Sequence, residues 1–309
     1  MNPATKLPVS GVFCASATPV LADGTPDHDA FLAHCKALIG EGCDGVALLG
    51  TTGEANSFSM AQRQALLDKV IAGGMDPRRL LPGTSQTNVP DSVTLVRHAV
   101  EAGVKACVVL PPFYYKGVSD EGLFRFYAEL VEGVGSNDLR VILYHIPPIA
   151  QVGISLELTA RLREAFPGIF VGIKDSSGKI ESMQAFAGAF EGFSVLAGAD
   201  PFMLPLLKAG GAGCITSSSN LIGAHLRVVF DNWFDPAQAE RVEKAQARIN
   251  AWRDLSNAYV QLPTIKAMLA RRRQHDGWTR VRPPLVQLTP DEIATVWSKM
   301  DALEAADHV

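Results

Sequence analysis

Two runs of sequence decide the fold: Val141-Ile142-Leu143-Tyr144-His145 and, past an amphipathic stretch at Ser155–Ala165, Ile169-Phe170-Val171-Gly172-Ile173-Lys174. Each run is short, apolar and rich in β-branched residues. That is the signature of a parallel strand covered on both faces by helices. Working outward, the same unit recurs. Val12–Ala17, Gly45–Leu49, Leu80–Gly83, Ala106–Leu110, Phe193–Ala197 and Gly213–Thr216 read as further strands, most of them flanked by Gly or Pro. Between them lie helical patterns at His28–Ile39, Ser59–Ala72, Asp91–Ala102, Ser119–Val134, Ile180–Phe190, Pro201–Ala209 and Leu221–Trp233. Asp27, Ser59 and Ser119 are N-cap candidates, and Gly103 is a stop signal.

Eight strand–helix units predict a (β/α)8 barrel, a TIM barrel, within the α/β class. The competing open doubly wound sheet would want a Gly-x-Gly-x-x-Gly turn after its first strand. Here that strand runs into Ala17-Thr18-Pro19-Val20 instead. After Asp235-Pro236 the strands stop, and Ala237–Tyr259, Thr264–Arg273 and Asp291–Ala306 read as helices. The expected organisation is a catalytic barrel over residues 1–234 and a C-terminal helical extension over 235–309. The triplet Arg271-Arg272-Arg273 reads as a solvated helix end.

The 309 residues are 47% hydrophobic and 19% charged, which supplies a core and excludes wholesale disorder. A net charge of -4 argues against a nucleic-acid protein. The 5 cysteines, Cys14, Cys35, Cys43, Cys107 and Cys214, are scattered and form no Cys-x-x-Cys pair. They read as small buried hydrophobes rather than as a disulfide scaffold or zinc site. The 7 histidines, His28, His34, His98, His145, His225, His275 and His308, show no ligand-like spacing near a carboxylate cluster. No signal peptide and no membrane-spanning run is evident, so a cytoplasmic protein is expected.

In such a barrel the chemistry sits where the strands end. Lys174 closes an apolar strand, and alternation places it on one face with Gly172, which would leave space beside it. A poorly solvated lysine favours its neutral amine, and a neutral amine can attack a carbonyl to form a Schiff base. The spacing also fits a strand-end lysine that snorkels into solvent. Tyr144 ends the preceding strand and is placed to shuttle protons, or to be a half-buried aromatic. Alternation sends His145 to the opposite face, as a structural residue. Gly50-Thr51-Thr52-Gly53-Glu54 leaves the second strand with N–H groups and hydroxyls that suit a small carboxylate or a phosphate, or simply with threonine caps.

These segments, with Pro112-Phe113-Tyr114-Tyr115 and Gly172-Ile173-Lys174-Asp175-Ser176-Ser177-Gly178, resemble the dihydrodipicolinate synthase / N-acetylneuraminate lyase family. The likeness runs in register from Val12 to about Asn220 and more loosely beyond. It implies class I aldolase chemistry with no metal or organic cofactor, usually in a homotetramer. By that resemblance Lys174 forms a Schiff base with pyruvate or another 2-oxo acid. Thr51, Thr52 and Gly53 bind its carboxylate, and Tyr144 is the proton shuttle. Tyr115, or else Tyr114, crosses a subunit interface to complete the proton relay. Ile215 and Ser217 line the pocket.

Two departures bear on the second substrate. The synthases carry an arginine five residues after the shuttle tyrosine, where this chain has Ile149. The sialate lyases carry an Asp-Glu pair after the seventh strand, where this chain has Asp200-Pro201. The expected activity is therefore a Schiff-base lyase, a pyruvate-dependent aldolase whose aldehyde is neither clearly aspartate semialdehyde nor a sialic-acid sugar. The alternatives are a 4-hydroxy-tetrahydrodipicolinate synthase, a 2-oxo-3-deoxy sugar acid dehydratase and, from another class, a non-catalytic barrel that binds a small acid.

Overall fold

The computed structural model describes residues 2–307. Seven strands form one parallel sheet: β1 Gly11–Ala15, β2 Gly45–Ala47, β3 Cys107–Val109, β4 Val141–His145, β5 Phe170–Asp175, β6 Ser194–Ala197 and β7 Gly213–Thr216. Their order is β2-β1-β7-β6-β5-β4-β3. The gap between β2 and β3 is filled by Leu80–Gly83, the segment expected as a strand. It makes isolated parallel bridges, Val46 with Leu80 and Gly83 with Val108. Leu81 N donates to Val46 O at 2.9 Å, and Val108 N donates to Pro82 O at 2.9 Å. Pro82, whose carbonyl faces β3, has no N–H to offer there, so the pairing with β3 lacks one donor. With this eighth segment the barrel closes, and a closed barrel has no free edge.

Helices cover the outside: α1 His28–Gly40, α2 Met60–Ala72, α3 Val89–Glu101, α4 Asp120–Val134, the short turn α5 Pro147–Ala150, α6 Leu156–Ala165, α7 Ile180–Ala189, α8 Met203–Lys208 and α9 Ser219–Asn232. The cap residues act as their types dictate. Asp27, Ser59, Ser119 and Ser155 each accept a backbone N–H in the first turn of a helix, and Ser59 forms a reciprocal capping box with Gln62. Three more helices follow, α10 Ala239–Ser256, α11 Gln261–Arg273 and α12 Pro290–Asp307. None of the described helices is long and apolar enough to cross a membrane.

The core has two layers. Phe13, Ala47, Leu81, Val108, Ile142, Tyr144, Leu196 and Ile215 pack inside the barrel, while Cys14, Leu143, Ile173, Val195 and Cys214 pack outward against the helices. This is the alternation that period-2 strands impose. All five cysteines are free and buried, and burial pushes the thiols of Cys43 and Cys107 up to about 12. The arginine triplet is ion-paired rather than merely solvated. Arg271 meets Asp301, Arg272 meets Glu304, and Arg273 meets Glu41. His308 lies outside the described residues.

Candidate active site

Lys174 is 5% exposed and Tyr144 is 4% exposed. They sit side by side because of a register shift. Val141 pairs with Phe170 but Ile142 pairs with Gly172, so Val171 is an extra, bulged residue. Regular pairing would have set Lys174 level with His145. The bulge sets it level with Tyr144 instead. The Lys174 Nζ stands 4.2 Å from the Tyr144 ring centroid, and the Tyr144 hydroxyl is 3.3 Å from Thr51 Oγ1. Burial raises the Tyr144 phenol. The charge of Lys174 and hydrogen bonding to Thr51, Lys174 and Ser176 outweigh that and bring it below its ordinary value. A phenol lowered toward neutrality is a better proton relay.

Gly172 shares the face of Lys174, but not in order to leave space beside it. A Cβ there would lie 2.4 Å from Ser194 O, so the glycine admits the neighbouring strand. His145 faces outward, accepts from Ile154 N at 3.0 Å on Nδ1, and packs near Phe186.

The Gly50–Glu54 loop is held under strain. Leu49 and Glu54, at its two ends, both have φ of 56°, in the left-handed region that non-glycine residues avoid. A Cβ on Gly53 would come 3.0 Å from Ser16 O, so the loop is packed against the end of β1. Thr18 Oγ1 donates to Gly53 O at 3.0 Å. Glu54 anchors the far end. Its Oε1 meets Lys266 Nζ at 2.5 Å, with neither side chain exposed, and its Oε2 accepts from Arg282 N at 2.8 Å. Burial pushes the Lys266 ammonium down, against the charge and hydrogen bond of Glu54 that hold it up. Arg63, on α2, is also buried. It donates to the carbonyls of Gly83 at 2.8 Å and Ser85 at 3.1 Å, which ties down the end of the Leu80–Gly83 segment.

Thr51, Tyr144, Ile149, Lys174 and Ile215 line one cavity of about 410 Å³ at the strand ends. Thr52 and Gly53 are buried in the adjoining loop. Asp200 and Ser217 turn elsewhere. Arg253 of α10 reaches Asp200 Oδ2 at 3.5 Å and Ser217 Oγ at 3.1 Å. Tyr114 and Tyr115 are 72% and 71% exposed, and their rings stack edge to face 5.2 Å apart, outside the cavity. Lys266, Arg63, Arg253 and the bulge were not singled out from sequence. A lysine inside the apolar stretch Ile265–Ala270 was the one signal available for the first.

A barrel cavity that places a buried lysine beside a tyrosine and a threonine can present an amine and a proton relay to a small carbonyl compound. Comparison with known proteins gives the family. Residues 8–303 match the model of the dihydrodipicolinate synthetase family, and the chain belongs to it. It is 32% identical over 296 residues to an uncharacterized DapA-like lyase of Chloroflexus aurantiacus, covering 96% of this chain and 97% of that one. It is 29% identical over 293 residues to a 4-hydroxy-tetrahydrodipicolinate synthase of Bacillus subtilis, covering 94% and 98%. The crystal structure of dihydrodipicolinate synthase from Agrobacterium tumefaciens superposes with a TM-score of 0.85 at 31% identity, covering 95% and 99%. The protein is a lyase of the dihydrodipicolinate synthase family.

Proposed function

We propose that this lyase is a pyruvate-dependent class I aldolase. Lys174 attacks the C2 carbonyl of pyruvate, and loss of water leaves an iminium. The iminium draws electrons from C3, so a proton leaves C3 and an enamine forms. Tyr144 relays protons to and from the carbinolamine, with Thr51 as its partner. The hydroxyls and N–H groups of Thr51, Thr52 and Gly53 bind the carboxylate. The observation that carries this reading is the Lys174–Tyr144–Thr51 array, in which a buried amine lies against a phenol that is itself hydrogen-bonded to a loop hydroxyl.

Incubation with pyruvate, reduction with borohydride and peptide mass mapping tests it. The expected result is a reduced pyruvate adduct on Lys174, and its absence sinks the reading.

Three further parts belong to the same proposal. Tyr115, with Tyr114 beside it, meets a second subunit in a homotetramer, since two stacked and exposed aromatic rings suit a partner surface. The enzyme works in the cytoplasm, which fits five free thiols. Residues 235–309 form a helical unit that is separate from the barrel in sequence but lends it Lys266 and Arg253.

A further inference from the structure

The cavity is larger than a three-carbon acid needs, and its volume of about 410 Å³ falls in the range of small-molecule sites, roughly 300–1,000 Å³. Its inner end carries Thr51, Tyr144 and Lys174. Its outer part is walled by Leu110, Phe113, Ile149, Leu262, Pro284 and Leu285. The last three come from α11 and from the segment before α12, so the C-terminal region builds part of the second-substrate wall.

The charged groups around this space are all engaged. Glu54 is bound to Lys266 and Arg282 N. Arg63 holds the carbonyls of Gly83 and Ser85. The Lys116 ammonium, at the rim, is shared between the carbonyls of Phe113 and Ala150. The hydroxyls are largely engaged too. Ser57 donates to Pro283 O, and Ser85 accepts from Leu110 N. A second carboxylate entering here would find only the Lys116 ammonium, already held by two carbonyls at the rim, and a sugar chain would find few partners. Each outcome costs affinity, whereas an apolar group gains by burial.

Resting on the aldolase reading, we propose that the second substrate is an uncharged aldehyde carrying an alkyl or aryl group, seated against Ile149, Phe113 and Leu285. The enamine C3 of the Lys174-bound pyruvate attacks the aldehyde carbon. The new C–C bond forms, and the aldehyde oxygen takes a proton from Tyr144. Water then hydrolyses the iminium, releasing a 4-hydroxy-2-oxo acid and restoring the Lys174 amine. In reverse the same enzyme splits such an acid into pyruvate and the aldehyde.

The test measures kcat/KM with pyruvate and each of hexanal, benzaldehyde and aspartate semialdehyde, with the pyruvate–borohydride adduct on Lys174 assayed in parallel. The expected result is at least a tenfold preference for hexanal or benzaldehyde over aspartate semialdehyde, the scale on which a hydrophobic pocket discriminates. Ile149→Arg, at a side chain 64% exposed and so tolerant of change, should narrow or invert that ratio. Leu285→Asp should raise KM for the apolar aldehydes and leave the adduct intact. An adduct accompanied by preference for aspartate semialdehyde, or by turnover of no aldehyde, overturns the proposal and leaves the Schiff-base reading standing. Absence of the adduct overturns both.

Discussion

Two buried lysines sit on opposite sides of the Gly50–Glu54 loop and are treated in opposite ways. Lys266 is wholly enclosed and ion-paired to Glu54 at 2.5 Å. Lys174 forms no ion pair with any carboxylate among the described residues, and its neighbours are an aromatic face and a phenol. A buried ammonium with a carboxylate is fixed in charge and place, so it can only build structure. Lys174, with no carboxylate partner, has its Nζ against the Tyr144 ring at the wall of the cavity, where a ligand can reach it. One element supplies the anchor of the Gly50–Glu54 loop, and another supplies the amine that we propose as the nucleophile.

That contrast can be broken from either side. The largest effect belongs to Lys174→Ala. Activity should fall on the order of 10⁴-fold, equivalent to about 5 kcal/mol, with circular dichroism and unfolding midpoint nearly unchanged. If stability fell as far as activity, the two lysines would not differ in kind. Lys266→Met should do the reverse. Leaving Glu54 buried and unpaired costs about 3–5 kcal/mol in denaturant unfolding. The double variant Glu54→Gln/Lys266→Met should recover much of that loss, because no charge is then stranded. A double variant no more stable than the single would show that the pair is not the source.

Tyr144→Phe removes the relay but not the amine. It should lower kcat about a hundredfold while the borohydride adduct still forms on Lys174. Loss of the adduct itself would mean that Tyr144 positions the lysine rather than moving protons.

A third buried basic group extends the comparison. His34 accepts from Arg273 Nε on Nδ1 and meets Asn220 Oδ1 through Nε2. Burial first, and then the Arg273 charge, push it down to about 3, against the Asn220 bond. Its folded value lies below its unfolded one, so the unfolded chain takes up the proton first. Stability is therefore whole above pH 6.5 and is lost as pH falls toward 3. At pH 5 the loss should be about 2 kcal/mol, and His34→Gln should flatten that part of the profile. The smallest effect is expected at the half-exposed Arg271–Asp301 pair, where Arg271→Ala should cost less than about 0.5 kcal/mol. A larger loss would mean that exposed pairs here behave like the enclosed one.

The barrel was legible from sequence because parallel strands buried on both faces leave unbroken apolar runs, and Ser and Asp caps mark where helices begin. Lys174 and Tyr144 stood out as polar residues at the ends of such runs, but their spacing also fitted a snorkelling lysine and a half-buried aromatic, and it was the family resemblance that separated the readings. Four features were not legible. The strand expected at Leu80–Gly83 forms only isolated bridges, with Pro82 unable to donate toward β3, and an apolar pattern does not register such pairing until its neighbours are known. The bulge at Val171 leaves the apolar pattern of its own strand intact and is visible only against β4. Gly172 was misread for a related reason, since its missing side chain answers to Ser194 on the next strand rather than to the lysine on its own. Lys266 and Arg253 reach the barrel end from helices whose own patterns say nothing about where those helices dock.

The contact between Glu54 and Lys266 also sets an order in time. The two residues are 212 positions apart in the chain. At about 5–20 residues per second, a ribosome reaches Lys266 roughly 10–40 s after Glu54. Lys174 appears a little past the middle of that interval, and from then until Lys266 is made the Gly50–Glu54 loop has no clamp, while Pro284 and Leu285 have yet to be placed. The loop beside Lys174 therefore cannot be locked until Lys266 has followed it in the chain.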